Sequence, residues 1–245
     1  MDKFLIERRF SCAFDKYDDN AKVQRYAAER LCKYILELSR NFGKILEIGC
    51  GTGLFTKKFL SYFRPDLLIL NDLCAKADIC LPDVNVTFLQ GDAESLDFPG
   101  ELDLIVSCST FQWFEDLPGF ILKVYEKLLP RGILAFCTFG PRNMEEVRAL
   151  SGVGLEYFTK EKLYKMLKDI GFELIKIEDE IIEMYFNSPF GVLEHLRNTG
   201  VNGVSNVGWT RKMLNDFCSS YTERYASPSG VKLTYHPIWV VVRKI

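Results

Sequence analysis

Residues 44–53 read KILEIGCGTG, and this stretch decides the fold. The run KILEI at 44–48 predicts a short buried strand, and Gly49, Gly51 and Gly53 follow it at two-residue intervals. Glycines at this spacing form either a plain tight turn or a loop whose backbone approaches a ligand closely. The surrounding sequence has to distinguish the turn from the ligand-binding loop.

The flanking sequence predicts strands that alternate with helices. Besides the first strand, apolar runs predict strands at 66–72, 84–92, 102–109, 132–140, 172–181 and 231–244. Apolar residues at helical spacing predict helices at 21–38, 53–63, 117–129 and 159–171. This order predicts an α/β fold: a doubly wound, Rossmann-like sheet of seven strands, mostly parallel, with an antiparallel last strand.

Three local signals refine these boundaries. The polar cluster at 18–20 has the residue types that cap helices and is expected to begin the helix at 21–38. Pro130 is expected to stop the helix at 117–129. Pro237 lies within the last strand and indicates an edge strand or a bulge.

The stretch at about 187–229 is polar and separates the last strand from the rest of the sheet. It contains helical patches at 189–198 and 208–224, so we expect a helical insertion or lid before that strand. The length of 245 residues suits one domain, and we predict a single domain over residues 1–245 that includes this insertion.

Composition excludes several functional classes. Hydrophobic residues make up 48% of the chain, charged residues 26%, and the net charge is −2, which favours neither nucleic acid nor an anionic membrane as a partner. The eight cysteines form no CxxC pair and there are only two histidines, so no metal site is expected. Scattered thiols and an amino terminus without a long apolar segment indicate a cytoplasmic protein.

Acidic residues follow three of the predicted strands. In an open α/β sheet, ligands bind beyond the carboxyl ends of the strands, where Glu47, Asp72 and Asp92 are expected to meet. The dinucleotide fingerprint GxGxxG is incomplete because its third glycine is replaced by Leu54. An anion is disfavoured beside Glu47, so the site suits a ligand with positive charge and hydroxyl groups rather than phosphates.

The segment EIGCGTG resembles the first motif of the class I methyltransferases that use S-adenosylmethionine (SAM). The resemblance implies that the loop cradles the methionine end of SAM near Glu47, and that Asp72 accepts hydrogen bonds from the ribose. Asp92 and the backbone of Ala93 would read the adenine. Asn71 precedes Asp72, which leaves open which of the two faces the ribose. The resemblance also assigns to the SAM site Gly49, Cys50, Gly51, Gly53 and Ser109.

The flanking segments carry a narrower resemblance. RRFSCAFDKYDDNAKVQRYAAERL at the amino terminus, STFQWFEDL at 109–117 and LTYHPIWVVVRK at 233–244 resemble the malonyl-acyl carrier protein O-methyltransferases of biotin synthesis. The resemblance implies methyl transfer from SAM to the free carboxylate of malonyl-acyl carrier protein, or of malonyl-CoA, to give the methyl ester. Methyltransferases of quinone and trans-aconitate synthesis share the core motifs but fit these flanks less well.

A carboxylate acceptor needs positioning more than activation, because it is already ionised at neutral pH. Tyr17 matches the tyrosine of the family's amino-terminal motif and is expected to line the methyl-transfer site together with Gln112. An arginine could bind the second carboxylate oxygen, and Arg148 is the first candidate, with Arg142 and Arg197 as alternatives.

Other residues have two open interpretations. Trp113 is either ordinary core or part of the site, and His236 is expected to be a packed strand residue rather than a base. Docking of an acidic carrier protein would use basic residues of the insertion, namely Arg197, Arg211, Lys212 and Arg224. Two further functions stay open: a methyltransferase for another small carboxylate or a quinone precursor, and a SAM-binding regulator without catalysis.

Overall fold

The computed structural model describes residues 2–39, 41–77, 79, 81, 84–201 and 209–245. Its large sheet has seven strands: β1 (Lys44–Ile48), β2 (Leu67–Asp72), β3 (Val86–Gln90), β4 (Leu102–Cys108), β5 (Leu128–Phe139), β6 (Phe172–Asp179) and β10 (Pro237–Lys244). Their order is β3-β2-β1-β4-β5-β10-β6, and only β10 runs antiparallel to its two neighbours. The predicted α/β fold with a mostly parallel sheet and an antiparallel last strand is confirmed.

Eight helices lie in the described residues: α1 (Lys3–Asn20), α2 (Lys22–Leu36), α3 (Leu54–Leu60), α4 (Leu117–Lys127), α5 (Glu145–Ser151), α6 (Lys160–Ile170), α7 (Pro189–Asn198) and α8 (Arg211–Tyr225). Leu31 of α2 and Phe59 of α3 pack on one face of the sheet, while Ile121 of α4 and Leu163 of α6 pack on the other. Coverage on both faces explains why β1 and β4 are apolar almost throughout. Among the described residues, no helix is both long enough and apolar enough to cross a membrane.

The amino-terminal helix α1 was not expected from the sequence. The cluster at 18–20 forms its last turn, and the following helix α2 begins at Lys22 with Ala21 as its N-cap, which provides no side-chain hydrogen bond. The capping interpretation of that cluster was therefore wrong. The physical reason is that Asp18 binds elsewhere: its carboxylate accepts a hydrogen bond from the Thr52 hydroxyl at 2.5 Å.

The two prolines lie near the ends of elements. Helix α4 ends at Lys127, shortly before Pro130, so the predicted stop is confirmed and the helix is two residues shorter than expected. Strand β5 begins at Leu128 and includes Pro130, and its pairing with β4 shifts register between Leu102 and Leu104 of β4. Pro237 is the first residue of β10, where a missing N–H is tolerated. Since β10 lies between β5 and β6, the edge-strand alternative was wrong. The pairing of β10 with β6 is irregular between Val241 and Val242, so the strand has an irregularity, but not at Pro237.

A second, three-stranded sheet was also missed. It consists of β7 (Ile182–Phe186), β8 (Ala226–Ser227) and β9 (Gly230–Tyr235) in the order β7-β9-β8. The predicted strand at 231–244 is thus two strands in different sheets. Helices α7 and α8 lie where helical patches were expected, and they pack with the small sheet around Tyr221 and Leu233. The boundary of this region as an insertion stays a prediction.

Candidate active site

A cavity of about 140 Å³ lies at the carboxyl ends of β1, β2 and β4, beside the point where the strand order reverses. We call it the donor cavity. It brings together eight of the residues that the sequence predicted for the site: Tyr17, Gly49, Cys50, Gly51, Asp72, Asp92, Ala93 and Ser109. The remaining four, Glu47, Gly53, Gln112 and Arg148, lie outside its lining.

The three glycines of the loop have separate roles. Gly49 has φ +72°, and a Cβ there would lie 2.1 Å from the Thr110 hydroxyl oxygen. Gly51 has φ +55°, but a Cβ there would meet nothing within 4 Å, so its backbone faces open space. Gly53 has φ +76° and is the residue that begins α3. The loop therefore needs glycine for its turns, and at Gly51 it leaves the main chain accessible to a ligand.

Asp72 rather than Asn71 is available to a ligand. The Asn71 side-chain amide donates to the carbonyl oxygens of Leu89 at 2.8 Å and Gly91 at 3.0 Å, which joins β2 to β3 and the turn after it. The Asp72 carboxylate accepts the backbone N–H of Gly51 on one oxygen and that of Cys74 on the other, each at 2.8 Å. Each oxygen keeps a second lone pair for a hydroxyl donor.

Glu47 is buried on β1, where the Thr56 hydroxyl donates to its carboxyl at 2.8 Å. Burial raises the pKa of Glu47 to about 8. The protonated form therefore dominates at neutral pH. The expected repulsion of phosphate by a charged Glu47 has no basis in this environment. Burial also raises the pKa of Asp72, although the backbone N–H groups of Cys74 and Gly51 oppose this shift.

Asp92 lies on the far side of the donor cavity, after β3. Its carboxylate accepts the backbone N–H of Glu94 at 3.1 Å and pairs with the Lys3 ammonium at 3.3 Å. Lys3 also pairs with the Glu94 carboxylate at 2.5 Å. These ion pairs connect the loop after β3, which is predicted to bind the adenine, to the first turn of α1.

Helix α1 forms one wall of the donor cavity. Ile6, Phe10, Phe14 and Tyr17, spaced by three or four residues, all line it. The Ser11 hydroxyl lies 3.0 Å from the sulfur of Cys74, which adds a contact to the loop after β2. The spacing of these aromatic and aliphatic residues is the signal by which the sequence could have revealed α1.

A smaller cavity adjoins the donor cavity, and we call it the junction. The residues that line both cavities include Tyr17, Gln24, Ser109 and Trp113. Gln112 lines the junction but not the donor cavity. The Gln112 amide donates to the Ser109 carbonyl at 2.6 Å, and its oxygen accepts from the Thr138 hydroxyl at 3.3 Å. The structure thus places Gln112 beside Tyr17 as expected, with its amide already engaged.

Two buried polar atoms at this boundary have no hydrogen-bond partner among the described residues. They are Oε1 of Gln24 and Nε1 of Trp113, whose residues are 4% and 6% exposed. A buried donor and a buried acceptor without partners are costly unless a ligand or water satisfies them. Burial also raises the pKa of Tyr17, so its hydroxyl stays protonated. These groups fit a polar small molecule such as SAM together with its acceptor. Sequence reasoning missed Gln24.

The predicted arginines lie elsewhere. Arg148 lines a third cavity together with Arg197, and its guanidinium stacks 5.3 Å from the centre of the Tyr157 ring. Arg142 pairs with Glu145 on the surface at 2.8 Å. In the described residues there is no cluster of histidine, cysteine or acidic side chains that could hold a metal ion.

His236 has the environment of a structural residue. Its Nδ1 accepts the backbone N–H of Arg142 at 3.2 Å, which leaves Nε2–H to donate to the Asp179 carboxylate at 3.0 Å. Both ring nitrogens are thus used within the fold. Among the described residues that line the donor cavity and the junction, His236 does not occur.

Comparison with protein families gives a match at residues 23–177 to a methyltransferase domain, which is more than half of the chain. Among solved structures, the fold resembles an S-adenosylmethionine-dependent methyltransferase from Mesorhizobium loti with a TM-score of 0.56 and 17% identity. That match covers 92% of this chain and all of the other.

Two relatives are named malonyl-[acyl-carrier protein] O-methyltransferase. The first, from Bacteroides fragilis strain 638R, is 42% identical over 99% of this chain, which spans half of that protein. The second, from Bacteroides thetaiotaomicron, is 39% identical over the whole of this chain and 99% of its own length. The match to the methyltransferase domain and the near full-length identity show that the chain belongs to the malonyl-[acyl-carrier protein] O-methyltransferase family.

Proposed function

We propose that this SAM-dependent O-methyltransferase transfers a methyl group to the free carboxylate of a malonyl group carried on acyl carrier protein. The product would be the methyl ester, an early intermediate of biotin synthesis. The names of the relatives support the acceptor. One observation in the site carries the proposal: among the described residues lining the junction, none is a histidine, an aspartate or a glutamate.

A site without a general base selects for an acceptor that is already nucleophilic. A carboxylic acid with a pKa of about 4 is ionised at neutral pH, whereas a phenol with a pKa of about 10 must first lose its proton. The three tyrosines of the junction do not supply a base, because burial raises the pKa values of Tyr17, Tyr157 and Tyr235. This chemistry favours a carboxylate over a quinone precursor.

The junction residues would position the acceptor. The Trp113 indole N–H has no partner among the described residues and can donate to a carboxylate oxygen. The Tyr17 hydroxyl, protonated and facing both cavities, can donate to the same group. When bound, SAM supplies the electrophilic methyl group. Helix α1 forms one wall of the donor cavity with apolar and aromatic side chains, which would reduce the solvation of a carboxylate at its boundary.

The docking of the carrier protein on the surface of this chain is also part of the proposal. Arg211 and Lys212 begin α8, Arg224 lies in its last turn, and all three are exposed. Acyl carrier proteins are acidic, so charge reversal at Arg211 and Lys212 is expected to weaken binding of the carrier. The cytoplasmic location and the absence of nucleic-acid and membrane partners stay predictions.

The test is methyl-ester formation from labelled SAM, measured against pH with malonyl-acyl carrier protein and malonyl-CoA. We expect product with a single methyl ester and a rate that changes by less than about twofold between pH 6 and 8.5, because the acceptor is ionised throughout. A phenolic compound serves as the comparison acceptor. Tight SAM binding without any ester from either thioester would contradict the proposal.

A further inference from the structure

The third cavity, which we call the outer cavity, has a volume of about 570 Å³ and is lined mainly by apolar side chains from α5, α7, α8 and the loops beside them. Its described lining also contains three arginines, Arg9, Arg148 and Arg197, and one acid, Glu194. Glu194 lies 3.7 Å from Arg197, so these two charges offset each other. Arg9 and Arg148 leave the cavity with an excess of positive charge.

Both of these arginines have an unsatisfied buried donor. The Nε atoms of Arg9 and Arg148 are buried and have no hydrogen-bond partner among the described residues. Arg148 is also held in place, because Nη2 donates to the Pro141 carbonyl oxygen and the guanidinium stacks on Tyr157. A fixed guanidinium with a free buried N–H is suited to bind an oxyanion, which satisfies the donor and offsets the charge.

The outer cavity adjoins the methyl-transfer site. Four residues line both the outer cavity and the junction: Met144, Leu155, Tyr157 and Val201. The junction in turn shares Tyr17 and Trp113 with the donor cavity. An acceptor whose carboxylate reaches the junction can therefore extend the rest of its length into the outer cavity.

We propose that Arg9 and Arg148 form an oxyanion-binding site that holds the acyl acceptor in the outer cavity. The inference rests on the proposed function, because an acyl thioester on a phosphopantetheine arm is what carries anionic oxygen atoms into this space. When the acyl carboxylate lies in the junction, the group that reaches the outer cavity is the phosphate of the arm. The carboxylate is the alternative ligand, in a binding mode that precedes its entry into the junction. The experiment distinguishes them.

Gly154 offers a way to displace Arg148 without removing its charge. A Cβ at Gly154 would lie 2.2 Å from Cδ and 2.3 Å from Cγ of Arg148, which is too close for both side chains to keep their positions. The backbone of Gly154 is not in the left-handed region, so alanine is compatible with it. Gly154→Ala is thus the charge-conserving companion of Arg148→Gln.

The experiment compares malonyl-phosphopantetheine with malonyl-pantetheine, which lacks the phosphate. For Arg9→Gln, Arg148→Gln and Gly154→Ala, we measure KM and kcat in the presence of saturating SAM. Calorimetry on the protein loaded with S-adenosylhomocysteine gives the Kd of each thioester independently of turnover. Arg243→Gln is the control, since Arg243 pairs with Glu173 at 3.2 Å at the opposite end of β10.

We expect the three variants to raise KM and Kd of the acceptor about tenfold, with SAM affinity unchanged and the control like the parent protein. A rise confined to the phosphorylated thioester assigns the phosphate as the ligand, and an equal rise with both assigns the carboxylate. If the Kd of the acceptor in both Arg9→Gln and Gly154→Ala stays within twofold of the parent value, the inference is overturned. If the parent protein binds both thioesters but methylates neither, the proposed function fails and the Kd values still test the arginines.

Discussion

Glu47 shows how burial changes the chemistry of a residue that the sequence marks as acidic. Its position after the first apolar residues of β1 predicted a charged group beside the ligand. In the fold it is 2% exposed, is bonded to the Thr56 hydroxyl, and has a pKa of about 8. The physical cause is desolvation, which disfavours the ionised form.

This raised pKa predicts a pH dependence of stability. Between about pH 4.5 and 8 the folded chain binds the Glu47 proton more tightly than the unfolded chain, so the free energy of unfolding falls as pH rises through this window. Glu47→Gln keeps the hydrogen bond from Thr56 and removes the titration. At pH 8 we expect the free energy of unfolding of this variant to exceed that of the parent protein by about 1–3 kcal/mol. At pH 4.5 we expect the two values to be equal.

Denaturant unfolding of both proteins from pH 4.5 to 8.5 measures this difference. Asp66→Asn, at an exposed site before β2, is a control for removing one acid elsewhere. Parallel pH profiles for Glu47→Gln and the parent protein would show that Glu47 is ionised in the fold.

The sequence did not reveal α1, and among the elements of this kind α1 has the largest effect on the site. It contacts three of the loops that form the donor cavity: Lys3 binds the loop after β3, Ser11 lies against the loop after β2, and Asp18 binds the loop after β1. Because α1 forms one wall of the donor cavity and is connected to these three loops, its movement away from them would widen the path by which a bound ligand leaves. We therefore expect α1 to control the rate at which the donor and its product dissociate.

The double variant Lys3→Gln, Asp18→Asn removes two of these contacts. Each is worth about 0.5–1.5 kcal/mol, so dissociation of S-adenosylhomocysteine is expected to become about tenfold faster. Trp113 lines the donor cavity and provides a fluorescence signal for stopped-flow measurement. Asp19→Asn, exposed on the same helix, is the matched control. Unchanged dissociation in the double variant would mean that α1 does not gate the cavity.

At the scale of the whole molecule, the corner between β9 and β10 joins the small sheet to the large one. His236 lies at this corner, binds the Arg142 backbone and the Asp179 carboxylate, and leaves no room for a side chain at Gly140, where a Cβ would lie 2.6 Å from its ring. The His236 imidazole therefore connects β10's first corner to two other segments, the loop at Arg142 and the end of β6 at Asp179. This arrangement assigns His236 to the fold rather than to the chemistry.

His236→Ala is expected to lower the free energy of unfolding by about 1–3 kcal/mol, because it leaves the Arg142 N–H without its acceptor and opens a cavity. Below the unfolding temperature, kcat should stay within about twofold of the parent value, since a carboxylate acceptor needs no base. Thermal unfolding and steady-state kinetics check the two statements. A large loss of kcat with unchanged stability would instead give His236 a role in catalysis.

The fold was largely predictable because its signals are local. Apolar runs of strand length, glycines after β1 and the helical spacing of α2 and α6 depend on neighbours in sequence. The predicted β1 matches its observed bounds, and α7 and α8 lie where helical patches were expected. The errors at Pro237 and in the cluster at 18–20 arose where residues distant in sequence decide the structure, as β5 and β6 do for β10 and Thr52 does for Asp18.

The sequence by itself determined the α/β class, the glycine loop and eight of the residues that line the donor cavity, because these follow from periodicity and from motifs within a few residues. Only the tertiary structure decided that Glu47 is buried and protonated, that α1 forms one wall of the donor cavity, and that Arg148 lies with Arg9 in a separate outer cavity. Ionisation and enclosure depend on what packs around a group. Those neighbours come from parts of the chain far away in sequence.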